Sequence, residues 1–381
     1  MSDNVAEELE LFRSMILRFL EQEVSPYYEQ WESDHQIPRA FWNAMGQAGI
    51  LCVDLPEKYG AAGTNYQINQ LIAWEMSRLG YGGLATNYNI HANIVSSYIY
   101  NIGTETQRQK WLPGMVSGDV VACLAMTEPS AGSDLASLRT SAVKDGDEWV
   151  INGSKVFITN GIHADLAIVC AKTDPSAGAK GISLFLVDTH LPGFAKGQSI
   201  KKIGQHASDT AELFFDNLRV PQDAILGEEN RGFFYLMQEL PRERLGCATQ
   251  AVAQAQGALE LTAEYVQERK AFGQNVSKFQ NTRFKLAEAK TEIALSRALL
   301  DQNMAKFEKD KMSAEDAAIL KLATTEMQLR VVNECLQLFG GYGYTTEYPI
   351  SRYYVDARIQ TIYAGSSEIM KEVISRGIVG R

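Results

Sequence analysis

The apolar period of this 381-residue chain changes twice, and that limits the fold more than any other feature. From residue 5 to about 118, Leu9, Phe12, Met15, Ile16, Phe19 and Leu20 open a helical pattern with Glu and Arg between them. Pro26, Pro38, Pro56 and the glycine-bearing stretch 59–63 punctuate it. From about 119 to 228 the apolar runs are short and β-like, at 149–151, 167–170, 182–187 and 211–215. Asp145-Gly146 and Asn152-Gly153 read as turns between them. After Gly232 the helical period returns in long segments near 232–268, 277–309, 314–339 and 366–379. Ser313 with Asp316 makes a capping box for the third of these. The length exceeds what one simple core organises, so two or three domains are expected. The order predicts an α+β chain: an N-terminal helical domain (1–118), a small middle β domain (119–228) and a C-terminal helical bundle (229–381).

Several function classes fall away. A net charge of −10 argues against nucleic acid as a partner, and an anionic cofactor would need local basic residues and backbone amides. No window approaches the roughly 20 consecutive apolar residues of a membrane span. The acidic start, Met-Ser-Asp-Asn-Val-Ala-Glu-Glu, lacks the order of a signal or transit peptide, so a cytoplasmic location is expected. Cys52, Cys123, Cys170, Cys247 and Cys335 are dispersed without a C-x-x-C pair, which predicts buried small hydrophobes. The five histidines form no H-E-x-x-H pattern, so no metal site is expected. There is no G-x-S-x-G elbow and no P-loop, and threonines stand where a third Rossmann glycine would follow Gly341 and Gly343.

Two strand-like runs end in turns rich in small polar groups. One is Leu-Ala-Met-Thr-Glu-Pro-Ser-Ala-Gly-Ser-Asp at 124–134; the other is Lys-Val-Phe-Ile-Thr-Asn-Gly at 155–161. Glycine lets a ligand approach the backbone, while Thr127, Ser130, Ser133 and Thr159 offer small donors and acceptors. That lining suits a flat polar heterocycle, and it suits a pair of ordinary β-turns equally well. Arg269 alone could be a helix-end cation, Gly340, Gly341 and Gly343 a helix stop, and Trp111, Phe157 and Phe272 core residues.

Spelled out together, the two runs strongly resemble the FAD-binding core of the acyl-CoA dehydrogenases. Glu268-Arg-Lys-Ala-Phe-Gly273 with Gln280, Gln337-Leu-Phe-Gly-Gly-Tyr-Gly343 and Ile362-Tyr-Ala-Gly-Ser-Ser-Glu368 are similar to three further segments of that family. The resemblance spans the chain and implies the family's fold, with a C-terminal four-helix bundle and FAD as cofactor. It implies flavin contacts from Leu124, Met126, Thr127, Ser133, Phe157 and Thr159 in the β domain. Arg269 would meet the pyrophosphate and Gln280 the adenosine end, with Phe272 beside them. Gln337, Leu338, Gly340 and Gly341 would line the diphosphate, and Ser366 and Glu368 would complete the site. The two groups would reach one FAD from different subunits, implying a homotetramer built as a dimer of dimers.

The base departs from the commoner family pattern. Most members carry glutamate at the position of Ala364, which has nothing to titrate. A subset places the base on a bundle helix within an E-R-L motif, and Glu243-Arg244-Leu245 matches it. By composition alone Glu243 would be a solvated carboxylate paired with Arg242 or Arg244; the resemblance makes it the candidate base. The flanking run Glu-Leu-Pro-Arg-Glu-Arg at 239–244 is most similar to long-chain members, with isovaleryl-CoA members more distant. Ser133, Phe234, Pro241, Arg244, Ala364 and Gly365 would face the substrate. The implied reaction is α,β-dehydrogenation of a medium- or long-chain or branched acyl-CoA, with electrons passed to electron-transfer flavoprotein. An acyl-CoA oxidase or monooxygenase of the same fold, and a non-catalytic flavin or acyl-CoA scaffold, are the alternatives.

Overall fold

The computed structural model describes residues 3–380, with side chains from residue 9. Seven helices come first: α1 (Asp3–Glu23), α2 (Tyr28–Asp34), α3 (Arg39–Gln47), α4 (Tyr66–Arg78), α5 (Gly82–Tyr88), α6 (Ser96–Ile102) and α7 (Glu105–Ser117). Ile16 and Leu20 of α1, four apart, are fully buried, as the helical period requires. Helix starts carry their signals: Asn65 accepts from the Ile68 N–H, and Thr104 with Gln107 forms a capping box on α7. Between α5 and α6 the chain continues without a break as a π-helical segment, Asn89–Val95. His91 within it is fully buried, with Nε2 3.0 Å from the Met115 carbonyl and Nδ1 accepting from the Ala122 N–H at 3.2 Å. Burial pushes its pKa down to about 4, so the neutral ring ties helix to sheet.

The strands are β1 (Ala122–Ala125), β2 (Ser141–Asp145), β3 (Glu148–Thr159), β4 (Leu166–Lys172), β5 (Ile182–Asp188), β6 (Phe194–Ser199), β7 (Thr210–Pro221) and β8 (Ile225–Leu226). Their order is β6-β7-β3-β2-β4-β5-β8, with β1 laid parallel on β4 from Ala122↔Leu166 to Ala125↔Val169. β4 reads as a continuous apolar run because both its faces are buried. Leu166, Ile168 and Cys170 pack into the core of the N-terminal helices, whereas Ala167, Val169 and Ala171 pack into the β domain's own core. β5 splits the same way, with Leu184 and Leu186 on one side and Phe185 and Val187 on the other. The sheet is thus joined to the helices through a shared core.

The third region holds α8 (Gly232–Glu268), a short hairpin of β9 (Lys270–Ala271) and β10 (Gln274–Asn275), then α9 (Gln280–Phe307), α10 (Ala314–Phe339), α11 (Ile350–Ala357) and α12 (Ser367–Val379). Leu245, Val252, Ile293, Leu320 and Val331 belong to its core. Ser313 accepts from the Asp316 N–H at 3.0 Å, and Asp316 accepts from the Ser313 N–H at 3.1 Å, so the expected capping box on α10 is present. All five cysteines are buried and unpaired.

Two local expectations change. Asn152-Gly153 is not a turn: β3 runs through it with an irregular register against β7 between Ile151 and Gly153. Gly153 has φ 148° and lies so close to Thr140 that a Cβ would meet its Oγ1 at 2.5 Å, which is the sequence reason for glycine there. The short α11 and the π segment were not expected, since neither alters the apolar period enough to be seen.

Candidate active site

The two signature runs are joined by a buried ion pair. Lys155 Nζ donates to Glu128 Oε1 at 2.8 Å and to the Met126 carbonyl at 3.1 Å. Glu128 also accepts from the Arg139 and Thr140 amides at 2.7 and 2.9 Å. Both side chains are almost wholly buried. Burial opposes the Glu128 charge, but Lys155 and these donors outweigh it and hold the carboxyl below its usual value. The Val156 N–H donates to the Thr127 carbonyl at 2.9 Å, locking the first turn onto β3. Thr127 and Thr159 are therefore brought to one end of the sheet, half-buried, beside Leu124 and Met126, with Ser133 on the exposed loop. Phe157 is no core residue: it adopts φ 60° and is 64% exposed. A bulky residue in that region is an outlier that marks a built surface.

A second group assembles on the C-terminal bundle. Arg269, Gln337, Leu338, Gly340 and Gly341 line one cleft of about 520 Å³ with Tyr265 and Tyr342. Arg269 makes no ion pair among the described residues, and its guanidinium rests 5.3 Å from the centre of the Tyr342 ring. Gly340 and Gly341 have open space where a Cβ would stand, so the cleft floor there is bare backbone. A free guanidinium over exposed amides fits a diphosphate. Phe272 lies outside the cleft at the tip of the β9–β10 hairpin, 96% exposed, and Gln280 begins α9 nearby in sequence. No β-domain residue lines this cleft. Within this chain it is built from the C-terminal region alone.

The candidate base lies elsewhere, on α8. Glu243 is only 6% exposed and accepts from the Tyr98 hydroxyl at 2.8 Å. Burial pushes its pKa up to about 7; the Tyr98 bond and Arg244 pull it down, and Glu239 adds to the rise. The composition-based alternative fails. Arg242 pairs with Asp54 at 2.5 Å and donates to Asn93, and Arg244 donates from Nε to the Ala364 carbonyl at 3.3 Å. Lys321, fully buried on α10, donates to the next carbonyl, Gly365, at 2.8 Å. Ala364 and Gly365 have φ 52° and 95°, so two buried cations hold a left-handed loop beside α8. The Ala364 N–H donates to no protein acceptor among the described residues. The arrangement offers a carboxylate able to take a proton near neutral pH and a fixed amide free to meet an oxyanion.

Of the other expected residues, Phe234 is half-exposed near the start of α8, stacked under Arg231 at 4.5 Å. Pro241 lies inside α8 between Glu239 and Glu243 and removes the amide that would bond the Met237 carbonyl. Ser366 caps α12, and Glu368 is exposed in its first turn. Tyr98, Glu239, Glu128, Lys155 and Lys321 were given no role from the sequence. Glu239 was visible in principle, four residues before Glu243 on the same helix face; Tyr98 and Lys321 carry no local signal. Among the described residues no group of three or more His, Cys, Asp or Glu is placed to hold a metal, and no helix is long and apolar enough to cross a membrane.

The family models for the acyl-CoA dehydrogenase N-terminal, middle and C-terminal domains match residues 6–119, 123–218 and 230–379. The mitochondrial long-chain specific acyl-CoA dehydrogenase of Rattus norvegicus is 44% identical over 98% of this chain and 86% of its own length. A crystal structure of acyl-CoA dehydrogenase from Geobacillus kaustophilus superposes with a TM-score of 0.96 at 46% identity, covering 98% of each chain. A glutaryl-CoA dehydrogenase from Mycobacterium smegmatis in complex with FADH2 superposes at 0.91 with 32% identity, covering 98% of this chain and 95% of that one.

Proposed function

The chain belongs to the acyl-CoA dehydrogenase family of oxidoreductases, and we propose on that footing that it is an FAD-dependent enzyme converting an acyl-CoA to the trans-2-enoyl-CoA with Glu243 as base. The observation that carries the assignment is Glu243 itself. It is a carboxyl brought to about 7 by burial, bonded on one oxygen, on a helix whose next residue braces the Ala364 loop. The domains are taken as 1–118, 119–228 and 229–381.

An α-proton of a thioester is weakly acidic, so its removal needs a positioned base and a stabilised enolate oxygen. Glu243 takes the proton on its free oxygen. The Ala364 N–H receives the thioester oxygen, held in aim because Arg244 and Lys321 fix the two carbonyls that follow it, those of Ala364 and Gly365. Their positive charges also favour the enolate. Exchanging the usual glutamate for Ala364 costs no donor, since the backbone amide is unchanged. Leu124, Met126, Phe157, Thr127, Ser133 and Thr159 would hold the flavin ring, and Arg269 with Gln337, Leu338, Gly340 and Gly341 the diphosphate. Phe272, Gln280, Ser366 and Glu368 would complete the cofactor's surroundings. The chemistry a bound FAD supplies is acceptance of the β-hydrogen as a hydride. Phe234, Pro241 and Gly365 would line the way in for the acyl-CoA, whose chain we place in the medium- to long-chain or branched class. Electron-transfer flavoprotein is the proposed acceptor, and the proposed location is cytoplasmic.

The bundle cleft draws no residue from the β domain, which supports a site shared between subunits and a homotetramer. Arg269→Ala is expected to weaken FAD retention and to loosen the assembly together, because a ligand bound across an interface stabilises that interface. Gel filtration with light scattering and flavin absorbance on one sample reads both. A fully flavinated monomer at micromolar concentration would overturn the shared site.

The activity is tested with a panel of acyl-CoA thioesters added anaerobically to the purified flavoprotein. Bleaching of the flavin by at least one of them, with enoyl-CoA formed, is expected. Stoichiometric peroxide from aerobic turnover without an added acceptor would make it an oxidase instead. A purified protein that binds no FAD would leave only a scaffold.

A further inference from the structure

Helix α6 sends three polar side chains toward α8, where two carboxylates receive them. Tyr98 OH donates to Glu243 Oε1 at 2.8 Å, Asn101 Nδ2 donates to Glu239 Oε1 at 2.9 Å, and Ser97 Oγ lies 3.1 Å from Glu239 Oε2. Glu239 and Glu243 are one helical turn apart on α8, and both are buried. Burying two like charges this close is costly unless each finds donors.

We propose that Tyr98 is a positioning residue that orients Glu243 for proton abstraction, and that Glu239, clasped by the same helix, opposes it, so that α6 sets the pH at which the base works. This rests on Glu243 being the base, as proposed above. Tyr98 is fully buried, and burial followed by the nearby Glu243 raises its own pKa well above the usual value, so it remains a phenol and donates its proton to the carboxylate in a hydrogen bond. Its bond occupies Oε1 and leaves Oε2 with no protein donor among the described residues. One oxygen is thereby fixed and the other is left to take a proton. A hydrogen bond to the charged form stabilises it, whereas a neighbouring carboxylate destabilises it. The groups facing Glu243 are Tyr98 from α6, Glu239 and Arg244 from α8, and Cys170 from β4, whose thiol burial raises to about 12. Arg244 favours the charged form too, but it also braces the Ala364 carbonyl, so Tyr98 and Glu239 are the two groups that tune the base in opposite directions without holding that loop.

The two variants carry opposite signs, which a merely structural role would not produce. In Tyr98→Phe, which keeps the ring and its packing, the acidic limb of anaerobic flavin reduction is expected to move about one pH unit alkaline. In Glu239→Gln, which keeps hydrogen bonds to Ser97 and Asn101, the limb is expected to move acid by a similar amount. Infrared titration of the protonated carboxyl band, with Glu243→Gln to assign it, reads the same two shifts without turnover. Flavin content and melting temperature should stay near wild type in both. Limbs that coincide with wild type in both variants, or shifts of the same sign, overturn the proposal. A wild-type flavin reduced by acyl-CoA whose limb survives Glu243→Gln would instead remove Glu243 as the base, and the proposal with it.

Discussion

Glu243→Gln is expected to retain yellow FAD and bind acyl-CoA while losing flavin reduction by about 10³- to 10⁴-fold, or roughly 4–5.5 kcal/mol of barrier. The change is nearly isosteric. The Gln carbonyl oxygen can still accept from Tyr98, and the Ala364 loop keeps its braces from Arg244 and Lys321. What is lost is a group that can take the α-proton, because an amide is not basic near neutral pH. Removing an interaction made only in the transition state lowers kcat and kcat/KM together and leaves substrate binding in place. Stopped-flow reduction under anaerobic conditions, with acyl-CoA binding followed by the flavin spectrum, separates the two. Reduction within about tenfold of wild type, a difference of only ~1.4 kcal/mol, would mean that some other group removes the proton.

The second large effect concerns stability. Glu128→Leu strands the Lys155 ammonium inside the sheet with the Met126 carbonyl as its remaining partner. Breaking one side of a buried pair costs about 3–5 kcal/mol, because an uncompensated charge stays behind. The double variant Glu128→Leu with Lys155→Met removes both charges and is expected to recover most of that loss. It should not recover flavin content fully, since the Arg139 and Thr140 amides that close the turn on Glu128 lose their acceptor. Urea unfolding of wild type, Glu128→Leu, Lys155→Met and the double variant forms the cycle. A single variant within about 1 kcal/mol of wild type would show that the pair is not the joint between the two signature runs.

Much of this was legible in the chain. The two changes of apolar period located the helical, β and helical regions because each element buries one face and so repeats at its own spacing. The capping box at Ser313 was read from four residues, whereas the candidate site groups came from the resemblance of whole segments to a family, since spacing alone left ordinary turns as likely. What escaped depends on partners distant in sequence. Lys155 stands in plain view within the second run, yet only the fold reveals that Glu128, 27 residues earlier, neutralises it. Lys321 meets Gly365 across 44 residues, and Tyr98 meets Glu243 across 145. Nothing local distinguishes a buried lysine or tyrosine of this kind from a snorkelling one or a core ring. The Asn152-Gly153 misreading has the same root. The dipeptide favours a turn in isolation, but strand pairing on either side carried the backbone through.

The π-helical segment Asn89–Val95 gives chain length itself a chemical meaning. In an α-helix of 3.6 residues per turn, every fourth residue drifts about 40° around the axis. The wider i→i+5 turn drifts the opposite way and cancels part of that rotation. Asn89, Asn93, Ser97 and Asn101 consequently share one side. The first two crowd Gly246, where a Cβ would meet them at 2.6 and 2.7 Å; Asn93 also receives Arg242; and the last two clasp Glu239. Dropping a single residue between Gly82 and Tyr98 would turn α6 by about 100° relative to α5 and swing the phenol off Glu243. Hydrophobicity, charge and helical propensity would barely register the change. On the proposed mechanism the angular phase of this helix sets the aim of the base, and it is written in a residue count.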